Sequence, residues 1–162
     1  MMEKNLPDLT ADQEQLDVAV TTGFAYIEQN ADTEELQGGS GRSGWVHSSI
    51  GSQKNLMLAF FADVVALKTP RAFPDYDEVM LDLDFFRQQI MAALTKEAFS
   101  SFNTHLDVAD VNKTQQKWEE YVTAAASVLH ASDPSVSVTQ WRAYLANERL
   151  QHLRELHGML EN

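Results

Sequence analysis

A chain of 162 residues without a single cysteine is long enough for one domain of ordinary size, and it excludes disulfides, thiolate metal sites and cysteine nucleophiles together. Twenty-four acidic against twelve basic residues give a formal charge of −12, which repels nucleic acid and anionic membranes, and the scattered bases form no basic stripe for a direct nucleic-acid interface. Apolar residues make up 44% of the chain, enough for one helical core, but the longest apolar run, Leu56 to Leu67, is broken by Asp63 and is too short to span a bilayer.

The opening residues, Met-Met-Glu-Lys-Asn-Leu-Pro-Asp, contain no apolar signal core, so a cytoplasmic location is expected. Thr10 with Gln13 forms a capping box, and Leu16, Ala19, Val20, Phe24 and Ile27 follow at helical spacing, which predicts a first helix over about 10–30. Gly23 falls on its apolar side, where a missing side chain permits close packing. Five of the seven glycines then lie between Gly38 and Gly51, and the segment 31–53 is expected to be a flexible loop. A second helix is predicted over 52–68, apolar nearly all round and therefore placed at the centre of the bundle, with Thr69-Pro70 as its stop.

A third helix opens at Asp75, with Glu78 at the box position. Val79, Leu83, Phe86, Ile90 and Leu94 carry its stripe, and its end is expected near Ser101. The fourth is predicted over 107–130, with Val108, Val111, Gln115, Trp118, Val122, Ala125 and Leu129 on one face and Ser132-Asp133-Pro134 as its stop. The fifth starts near Ser137, boxed by Gln140, and runs through Trp141, Leu145, Leu150 and Leu153 to about Gly158. The expected fold is all-α: residues 1–162 as a single domain, an antiparallel bundle of about five helices with one long Gly/Ser-rich loop. Leu56, Phe60, Val64, Leu83, Phe86, Ile90, Trp118, Val122 and Trp141 are its predicted core.

Few chemical motifs survive inspection. Gly39-Ser40-Gly41-Arg42-Ser43-Gly44 matches a G-x-G-x-x-G string, but no strand precedes it and no βαβ unit follows, so a nucleotide site is not expected. Asp107 to Asn112 resembles the start of a calcium loop but lacks the glycine and the terminal glutamate in register. Glu148, His152 and Glu155 share one face of the fifth helix. One histidine with two glutamates is a poor metal site, so this face is read as solvated, with Arg149 and Arg154 as local partners. No catalytic residue, cofactor or metal is expected.

The uneven charge carries the functional expectation. Residues 1–40 hold nine acids and one base, and residues 63–84 hold six acids against Lys68 and Arg71. Acids concentrated on a rigid scaffold attract a basic partner from a distance. The leading expectation is a non-catalytic protein that occupies a basic surface of a partner protein, as an inhibitor, an immunity-type protein or a nucleic-acid mimic. Its candidate partner-binding residues are Asp75, Asp77, Glu78, Asp82 and Asp84, with Asp32, Glu34 and Glu35 as a second group. The alternatives are a chaperone or assembly factor with an apolar groove and, third, a small helical enzyme built on Glu148, His152 and Glu155.

Overall fold

The computed structural model describes residues 13–33, 42–68, 70, 72–95 and 106–161, with the backbone alone at 42–45. Five helices make up nearly all of this: α1 (Gln13–Thr33), α2 (Arg42–Val65), α3 (Tyr76–Leu94), α4 (Val108–Ser132) and α5 (Val138–Glu161). They are 21, 24, 19, 25 and 24 residues long, well over half of the chain.

The sequence places most of their boundaries by local chemistry. Asp75 caps α3 by accepting a hydrogen bond from the Glu78 amide at 3.0 Å. The Ser137 hydroxyl accepts from the Gln140 amide at 3.1 Å, and the Gln140 side chain accepts from the Ser137 amide at 2.9 Å. These bonds satisfy amides that the first helical turn leaves without internal partners. Asp107 and Asp110, the would-be calcium ligands, form a reciprocal box at the start of α4, at 2.8 and 3.1 Å. His130, in the last turn of α4, donates from Nδ1 to the Val136 carbonyl at 2.7 Å and tightens the turn into α5. The expected Thr10 cap lies outside the described residues.

The expected loop over 31–53 is corrected. Residues 31–33 finish α1, residues 42–53 form the first half of α2, and 34–41 lie outside the described residues. Val46, Ile50, Met57, Phe61 and Val64 are spaced by four, seven, four and three, a single helical stripe that runs through the glycines. Val46 and Ile50 face Ala25, Glu28, Gln29 and Asp32 of α1. A helical glycine costs about 1 kcal/mol, and packing against α1 offsets it. A Cβ at Gly51 would meet open space, so this residue sits on the outer face.

The same stripe corrects the phase and place of α2. Met57, Phe61 and Val64 are buried, Phe60 is half-buried, and Leu56 is 70% exposed instead of lying in the core. The helix packs mainly on α1, with lighter contact to α4. It is not the central helix; α4 and α5 are, because each has a buried stripe wide enough to meet several neighbours. Leu83, Ile90, Trp118, Val122 and Trp141 are buried as predicted, while Phe86 is only half-buried. Helix α3 closes at Leu94, short of the predicted Ser101, and residues 96–105 lie outside the described set.

The two most extensive seams join α1 to α4 and α3 to α5. Contacts along α1 and α4 run in opposite order: Tyr26 stacks on Tyr121, and Thr33 meets Thr114 hydroxyl to hydroxyl at 3.3 Å. Along α3 and α5 they advance in step, from Asp82 with Arg154 to Phe86 with His157. The bundle is therefore not antiparallel at every seam. Phe60, Phe73, Trp141 and Tyr144 form an aromatic cluster that ties α2 and the segment before α3 to α5.

At Gly23, α1 comes close to both α2 and α4. A Cβ there would lie 2.5 Å from Met57 Sδ and 3.0 Å from the Tyr121 ring. Gly23→Ala should lower stability by about 1 kcal/mol, because overpacking costs about 1–3 kcal/mol and outweighs the better helix propensity of alanine. A raised urea midpoint in this variant would show that the helices are farther apart than described.

Helix α2 ends in a Schellman motif: the Lys68 amide donates to Asp63 O and the Leu67 amide to Val64 O. The left-handed position is held by Leu67, at φ 58°, with a side chain 72% exposed. A residue with a Cβ is strained there, by about 1–2 kcal/mol. Leu67→Gly should raise stability by about 0.5–1 kcal/mol after the entropic cost of glycine, read as a higher urea midpoint at unchanged slope.

Candidate functional site

The predicted acidic residues do not form one uniform face. Asp75 is engaged as the α3 cap. Asp77 and Glu78 are exposed in the first turn, where the helix dipole favours them. Asp82 is exposed and accepts from Arg154 of α5 at 3.3 Å. Asp84 is half-buried and accepts from Arg87 at 2.9 Å and Gln88 at 2.8 Å. The last two acids are thus partly compensated by cations, one of them from another helix. Asp32 is exposed at the end of α1, and Glu34 and Glu35 lie outside the described residues.

What the acids of α3 enclose was missed by the sequence reading. Leu81 is 72% exposed and Phe85 54%. At 100° per residue these two point nearly opposite the buried Val79, Leu83 and Ile90. Asp77 and Asp84 flank them on one side, and Glu78 and Asp82 on the other. The signal was available: Leu81 and Phe85 are large apolar residues that the 79–83–86–90 stripe leaves outside.

A second constellation lies where α1, α2, α4 and α5 meet, around a cavity of about 390 Å³. Tyr26, Ile27 and Asn30 line it from α1, Gln53, Leu56, Met57 and Phe60 from α2, Trp118 and Tyr121 from α4, and Leu145, Glu148, Arg149 and His152 from α5. The Glu148–His152–Glu155 face is thereby divided. Glu148 and His152 line the cavity, whereas Glu155 is exposed and does not. Arg149 also departs from its reading as a solvated local partner: it is 1% exposed. The physical reason is the register of α5, which buries Leu145, Ala146, Arg149, Leu150 and Leu153 on one broad side. Its Nε donates to Gln115 Oε1 at 3.4 Å, and its guanidinium lies 5.7 Å from the centre of the Tyr26 ring.

The electrostatics of the cavity follow from burial. Although Glu148 as a residue is exposed, desolvation raises the pKa of its carboxyl group above the ordinary 4.5. Burial, then the Glu148 charge, then Tyr26 push the Tyr121 hydroxyl well above its usual range, and burial followed by Glu148 raises Tyr144. Within the cavity the Tyr121 phenol stays protonated and the Glu148 carboxyl is reluctant to ionise. Among the described residues, no group of three or more His, Asp or Glu is placed to hold a metal ion, and no helix is long and apolar enough to cross a membrane. Compared with protein-family models, curated proteins and solved structures, the chain matches none.

The raised pKa of Glu148 has a definite sign in stability. Between the unfolded value near 4.5 and the raised folded value, the native state binds more protons than the unfolded state. The contribution is fully present below about 4.5 and is lost as pH rises through the folded pKa. Glu148→Gln removes that titration. Its stability relative to the parent, from urea unfolding at a series of pH values, should therefore improve from acid pH towards neutrality. A pH-independent difference would place the carboxyl in free solvent.

Proposed function

We propose that the chain is a non-catalytic binding protein that docks the outer face of α3 on a basic surface of a partner protein. The roles open to it are inhibitor, immunity-type protein or nucleic-acid mimic. The observation that carries this reading is the exposed pair Leu81 and Phe85 enclosed by Asp77, Glu78, Asp82 and Asp84. The acids accelerate encounter with a positively charged surface and orient it. The apolar pair supplies contact area, since burying a side chain of this kind is worth about 1.5–3 kcal/mol. The partner surface would accordingly carry Lys or Arg around an apolar cleft.

The apolar-groove alternative draws less support. The groove between α1 and α4 is lined by Glu14, Gln15, Thr22, Gln116, Glu119, Glu120, Thr123 and Ser127, with only Val18 and Ala124 as apolar members. Polar and acidic side chains thus make up eight of its ten lining residues.

Two substitutions separate the two halves of the proposal. With a partner captured from the native host, Glu78→Lys should slow association and flatten its salt dependence, because exposed charges act within about 8–10 Å at physiological ionic strength. Phe85→Ala should leave the on-rate nearly unchanged and speed dissociation at least tenfold. Surface plasmon resonance at two salt concentrations reads both. If both variants bind with parental rates, α3 is not the docking face.

A further inference from the structure

We propose that the cavity between α1, α2, α4 and α5 binds a small, uncharged aromatic molecule that carries an N–H or O–H donor, with the donor placed on the Glu148 carboxyl. None of the lining residues belongs to the α3 face, so the proposal stands apart from the docking reading.

The walls set the body of the ligand. Rings reach the cavity from three helices: Tyr26 from α1, Phe60 from α2, and Trp118 and Tyr121 from α4. Tyr26 and Tyr121 lie nearly parallel, with 9° between their planes and 6.2 Å between their centres. Ile27, Met57 and Leu145 complete the apolar lining. A flat ring meets such walls by offset stacking or edge to face, which adds to the gain from the area it buries. The volume of about 390 Å³ lies in the range of small-molecule sites, and junctions between bundle helices are a usual place for them.

The charges in the lining argue against an ionic ligand of either sign. Glu148 and Arg149 are consecutive residues of α5, and both line the cavity. An anion meets the like charge of Glu148, and a cation meets that of Arg149. Either repulsion is stronger in a partly desolvated site than in water. A neutral molecule meets neither.

Glu148 sets the polar feature. Its carboxyl is desolvated, and among the described residues it accepts no hydrogen bond and joins no ion pair. Asn30, Gln53, Arg149 and His152, which also line the cavity, are engaged with other groups of the chain. A carboxyl oxygen so placed gains from a donor that a ligand brings in, because that donor replaces the water that burial takes away. A hydrogen bond to an ionised acceptor is roughly twice as strong as a neutral one. An aromatic N–H or O–H joins this donor to a body that fits the walls.

The test uses the full chain and probes that share one ring system: indole, 1-methylindole, tryptamine and indole-3-acetate. Isothermal titration calorimetry and amide chemical shifts report binding. Indole should bind saturably, with shifts centred on the lining residues of α1, α4 and α5. It should bind about tenfold more tightly than 1-methylindole, which keeps the ring and lacks the N–H; that is the change expected of one hydrogen bond to a charged group. The cation tryptamine and the anion indole-3-acetate should both bind more weakly than indole. Glu148→Leu should erase the preference for indole over 1-methylindole, while circular dichroism and the urea midpoint confirm a folded chain. Should that variant fail to fold, Leu56→Trp at the exposed margin of the cavity should weaken indole about fivefold or more by obstructing it. Absence of saturable indole binding at millimolar concentration, equal affinity for indole and 1-methylindole, or tighter binding of either ion would each overturn the assignment. So would a preference for indole that survives in folded Glu148→Leu, or unchanged indole binding by Leu56→Trp.

Discussion

The close approach at Gly23 is the constraint around which the bundle is arranged. With no Cβ at this position, α1 draws close to the Tyr121 ring on one side and to Met57 on the other. That approach aligns Tyr26 over Tyr121 and brings Thr33 to Thr114 farther along the same seam. It also sets the space that α2 can occupy. Held against α1 by the buried Met57, α2 presents Phe60 to Trp141 and Tyr144 of α5. The cavity is what remains between these four helices: Tyr26, Met57 and Tyr121 are at once the contacts of the close approach and parts of its wall. Packing and site thus share residues, and a change in the seam reaches the site through rigid contacts.

Charge is distributed by a different logic. The partly exposed pairs Glu28 with Lys54 and Asp84 with Arg87 contribute about 1 kcal/mol each at most. The pair Asp82 with Arg154 is of the same kind, yet it joins residues of two helices 72 positions apart in the chain, and Arg154 also lies over the Phe86 ring. The arginine stem covers apolar surface between α3 and α5 that Phe86 leaves half-buried. The negative field of α3 is left to Asp77 and Glu78 in its first turn, where the dipole makes their presence inexpensive. A surface can remain strongly acidic in this way without destabilising the helix that carries it.

Much of the fold was legible, and its failures have identifiable causes. Helix starts that depend on side-chain capping, at Asp75 and Ser137, follow from three or four consecutive residues and were read correctly. The start of α2 depends on Val46 and Ile50 meeting α1, a tertiary contact that outweighs local glycine content, and so it was missed. The phase of α2 was wrong because apolar residues on every side carry no preferred direction; Leu56 and Met57 are equivalent until a neighbour is chosen. The more polar α4 and α5 gave clearer stripes, and they proved to be the central helices. Of Glu148, His152 and Glu155, grouped on one face by their spacing, only the first two line the cavity, and Arg149 between them was read as a local partner on a solvated face. An arginine flanked by Leu145, Ala146, Leu150 and Leu153 lies within a broad apolar stripe, which is the sequence signal that could have reversed that assignment.

The seam between α1 and α4 joins residues that are far apart in the chain: Thr33 meets Thr114 across 81 positions. During synthesis, at about 5–20 residues per second, α1 leaves the ribosome on the order of 4–16 s before the segment it packs against. Until then its buried stripe, from Leu16 to Ile27, has only α2 as a shelter, and the Gly23 notch receives Met57 before Tyr121 exists. The first helical hairpin is thus a temporary lodging for the apolar face of α1. The acidic residues that crowd the amino-terminal part of the chain keep that nascent hairpin soluble while it waits.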